Sequence, residues 1–160
     1  MLPLPLSLLP RPPAPSRLIR AIDPRVPLTL KRHVIEPVLN RTFAEPLEEG
    51  EFDALEGRRI TLHVDDLGIL VTLTLENQRL VLSREAGEAT IRGGWREFLC
   101  LATRREDPDA LFFQRRLSIE GDTELGLTVK NLLDSREEGL AQGRLGEWLV
   151  RLERAARRDD

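Results

Sequence analysis

The stretch from Leu111 to Asp134, LFFQRRLSIEGDTELGLTVKNLLD, constrains the fold more than any other part of the chain. Alternation places Leu111, Phe113, Leu117 and Ile119 on one face of a strand over residues 111–120, and Glu120-Gly121-Asp122 supplies a turn. Asp122 is suited to cap a helix, and behind it Leu125, Val129, Leu132 and Leu133 recur at i, i+4, i+7 and i+8. A strand with one apolar face, followed at once by a helix with one apolar stripe, predicts that the helix folds back on the sheet and closes an apolar compartment.

The remaining elements follow from the same periodicities. Between Arg58 and Arg92 four short runs alternate, namely Ile60, Leu62, Val64, then Ile69, Val71, Leu73, Leu75, then Leu80 and Leu82, then Ala89 and Ile91. Turn chemistry at Asp65-Asp66-Leu67-Gly68, Asn77-Gln78 and Glu85-Ala86-Gly87 separates them, which predicts an antiparallel meander with one apolar face under helices. Upstream, Leu30, Val34 and Val38 recur at i, i+4 and i+8 with Ile35 and Leu39 beside them, while Arg32, His33, Glu36 and Asn40 fall on the other side. That spacing predicts an amphipathic helix from Leu28, bent at Pro37, with Lys31 the one charge breaking its stripe. A helix from about Trp95 to Thr103 presents Phe98, Leu99 and Ala102, and a last helix over Gly143 to Arg158 turns Leu145, Leu149 and Leu152 inward with Trp148 beside them. The order is helix, four strands, helix, strand, two helices. The fold class is therefore α+β, with a mostly antiparallel five-stranded sheet covered on one face by helices.

A chain of 160 residues suits one domain, over residues 21–160, preceded by a tail over residues 1–20. Residues 1–16 hold six prolines interleaved with Leu2, Leu4, Leu6, Leu8 and Leu9, which excludes a helix there. The composition, 41% hydrophobic and 32% charged, with no apolar run near the ~20 residues of a spanning helix, excludes a disordered chain and a membrane-spanning helix. One cysteine forms no internal disulfide, and prolines interrupt the apolar start where a signal peptide would lie, so a cytoplasmic protein is expected. Charge is uneven: Met1 to Phe43 carries a net +5, leaving −8 for the rest. An acidic body argues against nucleic acid. A basic, leucine-rich tail suits an anionic membrane surface, with Leu2, Leu4, Leu6, Leu8, Leu9, Arg11, Arg17 and Arg20 as contacts, and the competing reading is a solvated leader.

Enzyme signatures are scarce, so no catalytic residue, metal or cofactor is expected. His33 and His63 are the only histidines, neither has a second ligand at i+4, and one cysteine completes no zinc site. No nucleophile elbow, Walker loop or dinucleotide fingerprint occurs, and Gly93-Gly94 reads as a turn opening a helix. Asp65-Asp66 reads as turn chemistry rather than a carboxylate pair, His63 as a strand residue facing away from the core, and Cys100 as a small buried hydrophobe. Four of the seven aromatics, Trp95, Phe98, Phe112 and Phe113, lie within nineteen residues. They are candidates to line a lipid cavity together with Leu99, Arg115, Leu117, Leu125, Gly126 and Val129; ordinary core packing is the alternative. Two details favour a cavity. An inward Arg115 needs a carboxylate, water or a polar head group, and Gly126 opposes helix propensity by about 1 kcal/mol, as a close approach to its backbone would explain. The alternatives are that Arg115 sits at a bulge beside Glu120 or Glu124 and that Gly126 admits only a neighbouring strand.

The run DPDALFFQRRLSIEGDTELGLTVKNLLD (Asp107 to Asp134) resembles the signature of the UbiT family, and LEGRRITLHV (Leu55 to Val64) is similar to that family's first strand. The resemblance covers roughly Leu28 to Asp134. It implies the fold of the sterol carrier protein type two domain and a non-catalytic accessory role in oxygen-independent ubiquinone biosynthesis. It further implies hydrophobic quinone precursors as ligands and the UbiU and UbiV hydroxylation factors as partners. With the basic, leucine-rich tail, a cytoplasmic position peripheral to the inner membrane is expected. The competing function class is an interaction scaffold of the same fold with a filled core.

Overall fold

In the computed structural model, residues 25–103, 105–134 and the single positions 147, 151 and 154 are described. The leucines and arginines of the tail lie outside them. So does the helix expected over Gly143 to Arg158, except that Glu147, Arg151 and Arg154 are helical and exposed.

Pairing register gathers the apolar side chains of the strands on one sheet face, while the threonines Thr61, Thr72 and Thr74 are buried on the other. Five strands, β1 (Arg59–Val64), β2 (Ile69–Glu76), β3 (Arg79–Ser83), β4 (Ala89–Gly93) and β5 (Leu117–Gly121), form one sheet in the order β3-β2-β1-β4-β5. Leu82, Leu73, Ile60 and Ala89 fall in one row across the strands, and Val71, Leu62, Ile91 and Ile119 in the next. Successive side chains alternate between faces, so these rows share one side and the intervening Thr61, Thr72, Thr74 and His63 take the other. On that second face the hydroxyls of Thr61 and Thr72 hydrogen-bond each other at 2.8 Å, and Thr61 Oγ1 accepts from the N–H of Gly87.

Three of the four pairings are antiparallel, but β1 and β4 run parallel. The meander expected over four strands therefore ends after β3. From Ser83 the chain returns past β1 instead of adding β4 beside β3, because β3's outer edge is already taken by a helix.

That helix is α1 (Leu28–Thr42), which contains Pro37 and is followed by the short α2 (Ala44–Glu48) and a 3₁₀ turn at Asp53–Leu55. No α1 residue is fully buried, and the Leu30, Val34, Val38 stripe faces outward at 54%, 62% and 41% exposure. Of the apolar side expected from the sequence, Ile35 and Leu39 pack part-buried against the core and Leu30, Val34 and Val38 do not. Arg32 donates from Nε and Nη2 to the carbonyl of Leu82, and Glu36 Oε1 accepts from the N–H of Leu82. Asn40 donates to the carbonyl of Leu80 and accepts from its N–H. An edge strand presents unpaired backbone groups, and here polar side chains at i, i+4 and i+8 satisfy them. Leu28, Ile35 and Leu39 pack part-buried beside this contact.

The strand expected from Leu111 begins only at Leu117, because residues 108–113 are helical. Asp107 caps α4 (Pro108–Phe113), accepting from the N–H of Asp109 at 3.0 Å, with Pro108 in the first turn. In a strand Leu111 and Phe113 would share a face, whereas in a helix they lie about 200° apart. Leu111 is fully buried and Phe113 is 91% exposed. Ahead of α4, α3 (Trp95–Thr103) buries Leu99, Cys100 and Leu101, and Asp66 of the β1–β2 turn accepts from the N–H of Trp95. The Asp65-Asp66 pair is thus turn and cap. α5 (Thr123–Asp134) follows β5 and buries Leu125 and Val129 at 1% and 8% exposure, with Leu132 partly buried on the same side.

Candidate functional site

The β5 end of the sheet carries an open groove of about 630 Å³, lined by Asp109, Ala110, Phe112, Phe113 and Gln114 of α4 and its C-terminal turn, Ile119 of β5, and Leu127 and Lys130 of α5. A depression of about 200 Å³ beside Asn40, Leu47 and Arg79 is smaller and more polar. The larger volume lies within the range of small-molecule sites.

Local chemistry builds this groove. Gly121, at φ +80°, ends β5 where an added Cβ would sit 2.4 Å from the Glu88 carbonyl oxygen, and the Asp122 N–H donates to that same oxygen at 2.8 Å. Asp122 Oδ1 then accepts from the N–H of Leu125, fixing the start of α5. This backbone bond, with the Arg58 guanidinium ion-paired to the same carboxylate, holds Asp122 below the usual aspartate range. Once started, α5 lies against β5 so closely that a Cβ on Gly126 would come within 2.2 Å of Ile119 Cγ2. Leu125 and Val129 turn down into the core; Leu127, about 200° round the helix from Leu125, is left 48% exposed on the groove wall.

Polar groups frame the apolar wall. Lys130 pairs with Asp109, tying α5 to α4 across the groove. Beneath α4, Arg116 Nη1 meets Glu106 Oε2 at 2.5 Å and its Nε lies 3.4 Å from Glu97 Oε1. The hydrogen bond to Glu106 is the main reason its pKa is raised further, so this cation stays charged and joins α3 to the turn before β5. Arg115, by contrast, is exposed in that turn at φ +58°.

Ten residues were expected to line a cavity, and the structure separates them into groups. Phe112 and Phe113 line the groove. Leu99, Leu117, Leu125 and Val129 are buried core side chains, and Phe98 packs part-buried against that core. Gly126 contacts the strand, as the alternative reading held, and Trp95 stands at the start of α3 under a cation–π contact from Arg96 at 5.9 Å. Arg115 does not point inward; its neighbour Arg116 is the half-buried one, because the residues before β5 form a helix and turn rather than a strand. Of the four aromatics, Phe112 and Phe113 line this groove and Trp95 and Phe98 do not. Sequence reasoning missed Ile119 as lining, Leu127, and the Lys130–Asp109 pair. The Asp107-Pro108-Asp109 start signal could have revealed α4 and so the outward turn of Phe113.

His63 faces the polar side of the sheet, 3.4 Å from Asp65, whose carboxylate also accepts from Arg92 Nε at 2.7 Å. Cys100 is buried. Among the described residues no His, Cys, Asp and Glu cluster suits a metal ion, and no helix is long and apolar enough to cross a membrane.

Residues 36–134, which hold the sheet, the groove and both helices that wall it, match the SCP-2 sterol transfer family. The chain belongs to that family. Within it, the ubiquinone biosynthesis accessory factor UbiT of Escherichia coli (strain K12) is 46% identical over 112 residues, 69% of this chain and 64% of that protein. The protein of the same name from Escherichia coli O157:H7 matches equally. The match thus spans just under two thirds of the length of these relatives. A solved structure described as UbiJ-SCP2 ubiquinone synthesis protein shares the SCP-2 fold, with a TM-score of 0.53 at 18% identity over 66% of this chain and 95% of that one. The SCP-2 match includes the Asp107 to Asp134 run, whose α4, β5 and α5 make most of the groove.

Proposed function

We propose that this SCP-2 domain is a non-catalytic lipid-binding accessory factor of oxygen-independent ubiquinone biosynthesis, holding hydrophobic quinone precursors for hydroxylation. The single observation that carries the reading is the apolar groove between α4 and α5 with Ile119 at its floor. Its wall of Phe112, Phe113, Ile119 and Leu127 removes isoprenoid surface from water at about 0.8 kcal/mol per buried CH₂. Because the groove is open, part of a long chain remains in a bilayer while the rest is held. The relatives' name supports a place in ubiquinone biosynthesis. In the proposed role the UbiU and UbiV factors receive the precursor. The protein works in the cytoplasm, peripheral to the inner membrane.

The test is solvent extraction of protein purified from cells grown without oxygen, followed by mass spectrometry. Wild type carries a prenylated ring compound and Leu127→Asp, which changes an exposed wall residue, loses it while melting at the same temperature. A wild-type protein devoid of prenyl lipid, or a variant that keeps its full lipid content, overturns the assignment of ligand or groove.

A further inference from the structure

The charge on the wall of the groove is held unevenly. Lys130 and Asp109 pair where α5 meets α4, yet the lysine side chain is 13% exposed and the carboxylate 61%. A cation withdrawn from water needs an oxygen acceptor in every state, because an unpaired one bears the full cost of its lost hydration. Asp109 has no such need. Exposed in the first turn of α4, it keeps its hydration with or without the lysine. The pair therefore has one fixed member and one exchangeable member.

We propose that Lys130 anchors the polar head of the bound lipid, its ammonium donating to an oxygen on the ring of the quinone precursor, which takes the place of Asp109. This deepens the reading above and rests on the groove being the lipid site. Position along the wall gives the ligand a direction. Lys130 is three residues beyond Leu127 on α5, so the two are neighbours on the helix surface and the charged end of the groove adjoins its apolar wall. At the other end of α4 from Asp109, Phe113 is 91% exposed, an apolar exit by which a prenyl chain leaves the groove. Gln114 also lines that end, but it is neutral and exposed, so water satisfies it. The chemistry of the head agrees with this direction: an ammonium only donates, and a ring oxygen accepts. A hydrocarbon ring offers Lys130 nothing in exchange for Asp109.

The experiment is equilibrium binding by the full chain of two probes with the same chain, geranylgeranylphenol and geranylgeranylbenzene, whose ring lacks oxygen. Wild type binds the phenol about tenfold more tightly, and Lys130→Met binds both alike. Asp109→Asn binds the phenol more tightly than wild type does, because a neutral amide competes less well for Lys130. Both variants break the ion pair, so a pair that merely ties α5 to α4 would weaken phenol binding in both, and that result overturns the proposal. So does a preference for the phenol that survives in Lys130→Met, or one lost with Gln114→Ala instead; binding of the hydrocarbon probe then shows that the groove itself stands. Phosphatidylglycerol is a third probe. Binding tighter than that of the phenol and dependent on Lys130 overturns the ring as occupant and puts a phosphate there. A wild type that binds none of the three overturns the groove as a lipid site and the anchor with it.

Discussion

α1 and α5 bear the same signal and lie at opposite ends of the sheet, yet they turn opposite sides to it. Leu30, Val34 and Val38 in one, and Leu125, Val129 and Leu132 in the other, recur with helical spacing; the first set is exposed and the second is buried or partly so. The difference lies in what each helix meets. α5 lies on β4 and β5, where Leu125 and Val129 enter the core and Ile119 reaches the backbone at Gly126. α1 lies on the edge of β3, where the N–H and C=O of Leu80 and Leu82 need partners. A buried backbone group left unpaired costs about 1–3 kcal/mol, so pairing several outweighs the ~1.5 kcal/mol or more for each apolar side chain left in water. An amphipathic pattern therefore says that a helix has two sides. It does not say which one the fold uses.

One substitution applied to both helices separates them most widely. Leu125→Ala is expected to cost about 2–5 kcal/mol in urea unfolding, whereas Leu30→Ala stays within about 0.5 kcal/mol of wild type. Equal losses would show that α1 buries its stripe. Gly126→Leu comes next: with Ile119 where its Cβ must go, the variant should lose about 1–3 kcal/mol, read as a lower midpoint of denaturation. A Gly126→Leu protein of full stability would mean that α5 is not seated on β5. On the other helix, Asn40→Ala removes both partners of Leu80 and should cost about 1 kcal/mol, with faster amide exchange along β3 as a readout that a loss of packing would not localise there.

The smallest effect is one of pH. The N–H of Leu125 keeps the folded pKa of Asp122 below its unfolded value, near 3.9 for an ordinary aspartate. Its contribution is then complete above about pH 4 and lost as pH falls through the lower folded value. Asp122→Ala should lower the melting temperature by a few degrees at neutral pH, and the gap from wild type should close on acidification below that point. For Asn40→Ala the gap stays level across the same range, because an amide does not titrate there. A gap for Asp122→Ala that widens on acidification would contradict the cap.

How far the sequence could be read depends on whether the deciding partner was local. The four strands from Arg59 to Gly93, the helix at Trp95–Thr103 and the Asp122 cap are all set by neighbours within a turn or a strand pair, and each stands where its residues put it. The strand expected across Leu111 to Glu120 failed at its first half because Leu111 and Phe113 fit a period of two, while the Asp107 cap and Pro108 had already started a helix. Arg115 and Arg116 exchanged places for the same reason.

Alternation and turn residues determined by themselves that the chain has one apolar sheet face and helices to cover it, since side-chain period and turn chemistry are properties of a few adjacent residues. The run from Asp107 to Asp134 likewise marked its family. Only the tertiary structure decided that β4 joins β1 in parallel, that α1 docks through Arg32, Glu36 and Asn40, and that the groove is walled by Phe112, Phe113, Ile119 and Leu127. Each of these depends on which backbone groups remain unpaired and which surfaces meet across some tens of residues of chain. That is a balance of long-range contacts, and no local pattern contains it.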